Sequence, residues 1–452
     1  MADILHSVTH HLQSLFSGTA NLLARRTGFT QRRSKLTGSV FAQTLVFGWL
    51  QNPQATLEEL AQVAASFDVS ITAQGLEQRF GPEAAAFLEQ LLHEAVSRVV
   101  HADPAVIPLL QRFTGVFALD STVIRLPSAL AGRWPGLGSN SRKSRKRGLK
   151  SKPTTSSVAA LKAQVCLNLL DGNLSGPFLS AATMADQKGV VQQASLPAGA
   201  LRLADLGFFS LEKVQQLQTQ KVWFLSRVQL GTCWRDSQER VWTTAAFLAT
   251  QNEARVDVPI QLGLDQRVPC RLLAWRVPPT VAAKRRRQWR QQARKRGARL
   301  HPDRLILADW TFYVTNIPKE LLSPEEAWVL YRCRWQIELL FKPWKSYGRV
   351  DESRSDKPWR VLCEVYAKLL SMIVQHWLLL VSCWSRPERS LMKASAAVRQ
   401  HALALALVLE HGHLVLGILR QLQKCLSHGR CINHQKRNPP THQLLLRLAP
   451  VA

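Results

Sequence analysis

The sequence predicts an α/β protein in which a mixed sheet is flanked by helices, and three observations point to this class. Short apolar runs of strand length alternate with helical patterns through the middle of the chain. Two of these runs flank a hairpin turn, and two others each end in an aspartate. The composition is that of a globular protein, because 46% of the 452 residues are hydrophobic and 20% are charged.

The charge balance indicates a polyanionic partner. The chain has 59 Lys and Arg against 31 Asp and Glu, a formal net charge of +28. Such self-repulsion does nothing for the fold, and nucleic acid is the polyanion we favour. A ribosomal or membrane-surface protein would have a similar balance, so charge alone does not identify the partner.

The chain is expected to be cytoplasmic and nucleoid-associated, without a membrane partner. No secretory pattern opens it, and its eight cysteines follow no regular framework. The most apolar stretch, Val365–Trp384, contains Lys368 and His376. It therefore predicts a buried helix rather than a membrane span.

Residues 1–112 are predicted to form a helical DNA-binding region. Thr56 and Glu59 have the spacing of a capping box. A break at 67–70 leads into a second helix at 71–80, which gives the outline of a helix-turn-helix motif. Two ordinary packed helices are an equally good interpretation.

Residues 113–230 are predicted to form the first part of the core, in the order strand, hairpin, strand, helix, strand. The elements are expected at 115–119, at 159–170 and 174–180 around the turn Asp171-Gly172-Asn173, at 200–204, from the Ser210 cap to about 220, and at 222–228. Two strands end in Asp120 and Asp205, and ligands of α/β sheets tend to bind at such ends.

The remaining chain is predicted to form three further segments. Residues 231–305 form a β-rich, basic insertion, 306–385 the second part of the core, and 386–452 a helical C-terminal region. Within them we expect strands at 256–262, 268–277 and 305–315, a long helix from 324 to about 346, and helices at 360–385 and 390–425.

The long helix carries a stripe of polar residues. Tyr331, Arg334, Glu338 and Lys345 are separated by three, four and seven positions, which keeps them on one helical face. Glu338 can bind a hard divalent cation, and its neighbours can hold phosphate oxygens. Pro343 is expected to bend the helix before Lys345. A solvated face of ordinary ion pairs is the alternative.

The spacing Tyr-x2-Arg-x3-Glu-x6-Lys resembles the signature of insertion-sequence-four family DDE transposases. Asp120-Ser121-Thr122, after an apolar strand, resembles the first aspartate motif of that family, and Asp205-Leu206-Gly207-Phe208 resembles the second. The resemblance covers about residues 110–385. The long gap between Asp205 and Glu338 is similar to that of a family core interrupted by an insertion.

The resemblance implies a ribonuclease-H-like core split by a β-rich insertion, and a DNA transposase acting by cut and paste. It implies that Asp120, Asp205 and Glu338 are catalytic and bind two Mg²⁺ or Mn²⁺ ions. The implied partners are terminal inverted repeats, target DNA and a second copy, as a homodimer in the DNA synapse. Two alternatives stay open: a DNA-binding protein without catalysis, such as a decayed transposase, and a nuclease that does not join strands.

The resemblance also implies, by position, that Tyr331, Arg334 and Lys345 bind the phosphates of the transposon end. Trp310 is the candidate for stacking on a flipped base. A tryptophan packed under its strand is the alternative. Asp171, Asp186 and Asp309 are rival acids, but none combines a strand end with a family motif.

Two basic clusters are expected to contact DNA phosphates and to make binding salt-dependent. The first includes Lys143, Arg145 and Lys146, and the second includes Arg285, Arg286, Arg287 and Arg290. A solvated loop is the alternative in each case.

Overall fold

The computed structural model describes residues 2–32, 34–137, 158–386, 388–428, 432 and 440–448. The chain separates into two compact units. The first unit comprises Met1–Val106, Asp120–Val191 and Gln336–His442, and the second comprises Ile107–Leu119, Gln192–Trp335 and Gln443–Ala452. The five segments predicted from the sequence stay a prediction.

The strands lie in the middle of the described chain, between a helical N-terminal part and a helical C-terminal part. The helices are α1 Ala2–Ser14, α2 Ala20–Arg26, α3 Gly38–Gln51, α4 Leu57–Ala65, α5 Ala73–Glu77, α6 Pro82–Ser97, α7 Pro108–Gln111, α8 Val190–Gln193, α9 Leu211–Thr219, α10 Thr244–Ala249, α11 Pro279–Arg296, α12 Pro302–Leu307, α13 Pro324–Cys333, α14 Trp335–Lys342, α15 Pro358–Leu380, α16 Leu391–Leu407, α17 Gly412–Ser427 and α18 Thr441–Arg447. The strands are β1 Val116–Leu126, β2 Ala159–Asn168, β3 Leu174–Ala181, β4 Leu201–Ala204, β5 Trp223–Ser226, β6 Cys233–Arg235, β7 Val241–Thr243, β8 Arg255–Leu262, β9 Val268–Arg276 and β10 Trp310–Thr315.

Helix α15 is the centre of the helical core of the first unit. Every residue from Val361 to Leu380 is buried, and the helix packs against α3 and α6. Its two buried charges neutralise each other, because Lys368 Nζ lies 2.8 Å from Glu364 Oε1. None of the helices in the described ranges is both long and apolar enough to span a membrane.

The strands of the first unit include the predicted hairpin. Strands β2 and β3 pair antiparallel, with Leu161 opposite Ala181, and β1 lies on the other side of β2. The turn contains Gly172 at φ +76°. A Cβ there would lie 2.5 Å from Leu380, so both the conformation and the close packing favour glycine.

The second unit contains the mixed sheet that the sequence predicts. Its strand order is β1-β4-β5-β10-β9-β8-β6-β7, where β1, β4 and β5 run parallel and the pairs from β5–β10 onward are antiparallel. Buried side chains from α9, β5, β8 and β9 pack together on this sheet. The α/β class with a sheet flanked by helices is confirmed.

Several predicted boundaries are wrong, and local start and stop signals explain them. The second helix of the helix-turn-helix outline is only α5, because Gly81 is extended ahead of Pro82, which begins α6. The strand expected at 305–315 is preceded by α12, which Pro302 begins. The long helix is interrupted at Arg334, and the helix expected at 390–425 is two helices, α16 and α17.

Candidate active site at the parallel strand ends

Charged residues lie where the parallel pairing of three neighbouring strands ends. For β1 this point is inside the strand, which continues past Asp120 to Leu126, so the strand predicted at 115–119 is too short. In the β1–β4 register Leu119 pairs with Ala204, and in the β4–β5 register Ala204 pairs with Ser226. The residues that follow these three in the chain are Asp120, Asp205 and Arg227. The carboxyl ends of parallel strands are where α/β proteins bind ligands, so this pattern marks a candidate site.

Helix α13 places Tyr331 at the end of β4. A capping box fixes the start of the helix, in which Ser323 accepts from the N–H of Glu326 and the Glu326 carboxylate accepts from the N–H of Ser323. Tyr331 is buried, and its hydroxyl donates to the Ala204 carbonyl over 3.3 Å. Its ring lies against Tyr313, with 4.3 Å between centroids. The hydroxyl is thus fixed one residue from Asp205.

Charges of both signs surround the Tyr331 ring. The Arg227 guanidinium lies 5.9 Å from the ring centroid, and that of Arg334 lies 6.0 Å away. Burial raises the pKa of Tyr331 to about 12, while Arg227 and Arg334 act to lower it and Asp205 acts to raise it. The phenol is therefore neutral at physiological pH and can only donate its proton as a hydrogen bond.

The other half of the signature lies on two different elements. Glu338 is partly exposed in the first turn of α14. Lys345 lies in a π-helical turn, Pro343–Tyr347, that follows α14, and its Nζ donates to the Val123 carbonyl of β1 over 3.4 Å. The helix type changes at Pro343, and the bend expected there stays a prediction.

Carboxylate oxygens are suitable ligands for Mg²⁺ or Mn²⁺, and three carboxylates were predicted here. Asp120 Oδ1 accepts from the N–H of Ser121 over 2.8 Å. Within the described ranges, no group of three or more His, Cys, Asp or Glu side chains is close enough to hold a metal ion. A joint site for Asp120, Asp205 and Glu338 therefore stays a prediction.

Trp310 is a core residue in this structure. Its side chain is 3% exposed and packs with Leu248, Ala274 and Leu307. The Arg276 guanidinium covers one face of the ring, 4.8 Å from the centroid. The structure thus agrees with the packed alternative, and a flipped base could reach the ring only if this core rearranged.

The second basic cluster lies on helix α11, whose 18 residues contain no acid. Arg285 donates to the Trp310 carbonyl over 2.8 Å and to Thr311 Oγ1 over 3.0 Å, and Arg286 pairs with Asp309. These two arginines lie three and four positions after the fully buried Ala282, on the face that packs inward. The four predicted DNA contacts therefore form an inward pair, Arg285 and Arg286, and an exposed pair, Arg287 and Arg290.

The first basic cluster cannot be placed. Lys143, Arg145 and Lys146 lie outside the described residues. At its edge, Arg133 forms an ion pair with Glu89. That arginine therefore has a partner within the first unit.

Arg227 is a site residue that the sequence interpretation missed. The predicted strand at 222–228 included Arg227 as an internal residue, whereas β5 ends one position before it. The rule that identified Asp120 and Asp205, a charged residue directly after an apolar run, would have found Arg227 had the end of β5 been placed correctly. Beyond Tyr331, Arg227 also acts to lower the pKa of Tyr313, which burial raises.

Known proteins resemble this chain over most of its length. Residues 111–374 match the family described as "Transposase DDE domain". The transposase for insertion sequence element IS231C of Bacillus thuringiensis subsp. berliner is 25% identical over 373 residues, which is 78% of this chain and 75% of the relative. The transposase for IS1151 of Clostridium perfringens is 21% identical over 390 residues, covering 80% and 78%. The matched family segment includes every residue of the strand-end site.

Proposed function

The chain belongs to the DDE transposase family, and on that premise we propose that it cleaves the ends of an insertion sequence and transfers the freed strands to target DNA. The observation that supports this most is the parallel register, in which Asp120 and Asp205 directly follow the paired residues Leu119 and Ala204. The Tyr331 hydroxyl, on the Ala204 carbonyl, adds a signature residue to the same strand end. We assign the reaction to this edge of the sheet.

Asp120, Asp205 and Glu338 are the proposed ligands of two Mg²⁺ or Mn²⁺ ions. Bound divalent ions would activate the attacking oxygen and stabilise the leaving oxygen in an in-line displacement at phosphorus. The contribution of the chain is to hold anionic oxygens where parallel strands end, since hard cations prefer oxygen ligands. Water would attack first, and the freed 3′-hydroxyl would attack next.

Arg227, Arg334, Tyr331 and Lys345 are the proposed phosphate-binding residues. Arg227 and Arg334 both lie against the Tyr331 ring, and guanidinium groups bind phosphate oxygens through paired hydrogen bonds. The neutral phenol has one proton and would donate it to a phosphate oxygen only by giving up its hydrogen bond to the Ala204 carbonyl. These residues would orient the DNA end relative to the carboxylates.

Helix α11 is proposed to bind the DNA backbone through its exposed basic residues. The partners are terminal inverted repeats and target DNA, and two copies of the chain would pair the two ends as a homodimer. An enzyme with these partners would be found with the DNA of the nucleoid. Binding of this kind weakens as salt rises, because it releases counterions.

The test compares Asp120→Ala and Asp205→Ala with Asp265→Ala, an exposed acid in the turn between β8 and β9. Manganese-dependent nicking of an end duplex should fall more than about 1,000-fold in the first two and stay at the wild-type rate in the third. Binding of the duplex without metal should be unchanged in all three.

Two outcomes would replace the proposal by one of its rivals. Binding of end DNA by the wild-type chain, with no nicking at any Mn²⁺ concentration, would leave a DNA-binding protein without catalysis. Nicking without joining of precleaved ends to a target plasmid would indicate a nuclease.

A further inference from the structure

A partly buried polar network lies beside Asp120 in the first unit, and its centre is Asp186. Asp186 Oδ1 accepts from Ser121 Oγ at 3.0 Å, from Lys162 Nζ at 3.0 Å and from Gln164 Nε2 at 3.3 Å. Lys162 and Gln164 are buried residues of β2, on the same face of the strand because they are two positions apart. Asp186 follows β3 in a short 3₁₀ turn, Asp186–Lys188.

The network fixes the segment of β1 that carries Asp120. Ser121 donates its hydroxyl to Asp186 and its backbone N–H to Asp120 Oδ1, the latter over 2.8 Å. Ser121 is therefore held on one side by Asp186 and orients the Asp120 carboxylate on the other. The turn itself is fitted closely to β2, since a Cβ on Gly189 would meet the amide of Gln164.

The network also assigns a counter-ion to a buried lysine. The Lys162 side chain is 10% exposed, and its ammonium donates to Asp186 and to the Met184 carbonyl. A buried ammonium without a carboxylate is costly and would attract the nearest remaining anion. Without Asp186, three donors on β1 and β2 would lose their acceptor close to Asp120.

We propose that Asp186 is a positioning residue for the metal ligand Asp120: it anchors Ser121, which orients the Asp120 carboxylate, and it neutralises Lys162. This rests on the proposed function, in which Asp120 binds the divalent ion. Asp186 Oδ1 is already occupied by three donors of the chain itself, which fits a residue that positions its neighbours. Residues that orient a metal ligand commonly change metal affinity 10–100-fold when they are lost.

The experiment titrates the full chain with Mn²⁺ and measures free Mn²⁺ by electron paramagnetic resonance. Asp186→Ala should raise the Kd for Mn²⁺ about 10-fold. Asp186→Asn keeps an oxygen acceptor for Ser121 but loses the charge opposite Lys162, so it should give a smaller increase. Ser121→Ala should weaken Mn²⁺ binding as well, and adding it to Asp186→Ala should have little further effect, since both changes break one hydrogen bond.

The matched control is Asp171→Ala, at the other end of the same hairpin. Asp171 accepts from the N–H of Asn173 over 2.9 Å and contacts His101 over 3.0 Å, so its loss also disturbs the hairpin. It should lower the Tm without changing the Kd for Mn²⁺. If folded Asp186→Ala and Asp186→Asn bind Mn²⁺ like the wild type or like Asp171→Ala, the positioning role is wrong.

Asp120→Ala separates a failure of the proposed metal site from a failure of the proposed role of Asp186. Wild-type Mn²⁺ binding in Asp120→Ala would overturn the proposed function itself. Weak binding in Asp120→Ala together with wild-type binding in Asp186→Ala would overturn only the role of Asp186.

Discussion

The second unit has arginines beside helix α13 and along helix α11, and these two groups present their charges in opposite ways. Next to α13, Arg227 and Arg334 lie against a single buried phenol, with Asp205 acting on the same group. Along α11 the basic residues have no acid within the helix. One arrangement fixes a few charges of both signs at one point, and the other spreads charges of one sign over a surface.

The difference teaches what each surface can do. A guanidinium held against an aromatic ring near a carboxylate has a defined position, which suits contact with one particular phosphate. A helix face with only positive charge interacts with the summed field of many phosphates, so its contributions should add and should weaken with salt. The comparison predicts large, local effects for the first surface and moderate, cumulative effects for the second.

Arg227→Ala gives the largest expected effect on this comparison. We expect end cleavage to fall about 100-fold, since one fixed donor to a reacting phosphate typically contributes that much. Arg227→Lys should recover only part of the rate, because an ammonium cannot form the paired hydrogen bonds of a guanidinium. The measurement is single-turnover cleavage of a prebound end duplex.

Arg240→Ala is the matched control for Arg227. Arg240 also covers an aromatic ring, 5.7 Å from the centroid of Trp242, and pairs with Asp236 over 2.9 Å. It lies in the β6–β7 hairpin, away from the strand-end residues in the sheet order. Equal losses in Arg240→Ala and Arg227→Ala would mean that the effect is structural.

The exposed face of α11 should give the next largest effect. The plot of the logarithm of the DNA association constant against the logarithm of salt concentration has a negative slope. Arg287→Gln and Arg290→Gln should each make that slope less steep by about 0.9, and together they should weaken binding about 10-fold at moderate salt. Arg286→Gln should leave the slope unchanged and reduce thermal stability, because Arg286 is paired with Asp309. A slope that is the same in all three variants would contradict the assignment of α11 to DNA.

The elements that the sequence predicts best are those with strong local signals. The capping box at Thr56, the Ser210 cap and the Gly172 turn are all present, because each depends on hydrogen bonds or backbone angles within a few residues. The apolar runs before Asp120 and Asp205 were also found as strands, since buried parallel strands are rich in hydrophobic residues, but β1 continues through Asp120 to Leu126.

The parts that the sequence did not predict depend on tertiary contacts. Nothing local shows that Arg285 would donate to the Trp310 carbonyl or that Trp310 would be buried under Arg276. Ala282 and Arg285 are three positions apart and so share one face of α11. Because consecutive arginines occupy both faces, the sequence does not show which face is buried. The role of Asp186 depends on donors from β1 and β2 and is visible only in the folded chain.

Tyr331→Phe should give the smallest effect and is the sharpest test of how the strand-end residues act. The hydroxyl donates one hydrogen bond of 3.3 Å to the Ala204 carbonyl, so its loss should lower the free energy of unfolding by about 1 kcal/mol. The same amount added to the activation free energy would slow cleavage about fivefold. Because burial raises the pKa of Tyr331 to about 12, the folded protein keeps this phenol protonated where an unfolded chain would begin to lose the proton near pH 10. Its contribution to stability is therefore complete below pH 10 and is lost as the pH rises towards 12.

The pH–rate profile of Tyr331→Phe follows from this protonation state. Between pH 7 and 10 the variant and the wild type should have parallel profiles, because a phenol that titrates near pH 12 cannot serve as the general base in that range. Without this phenol, the free energy of unfolding should fall less between pH 8 and pH 12 in the variant than in the wild type. Unfolding at alkaline pH can be measured by tryptophan fluorescence. A loss of more than about 100-fold, or a profile that loses an inflection near pH 8, would make the hydroxyl a participant in proton transfer and not a fixed donor to the Ala204 carbonyl.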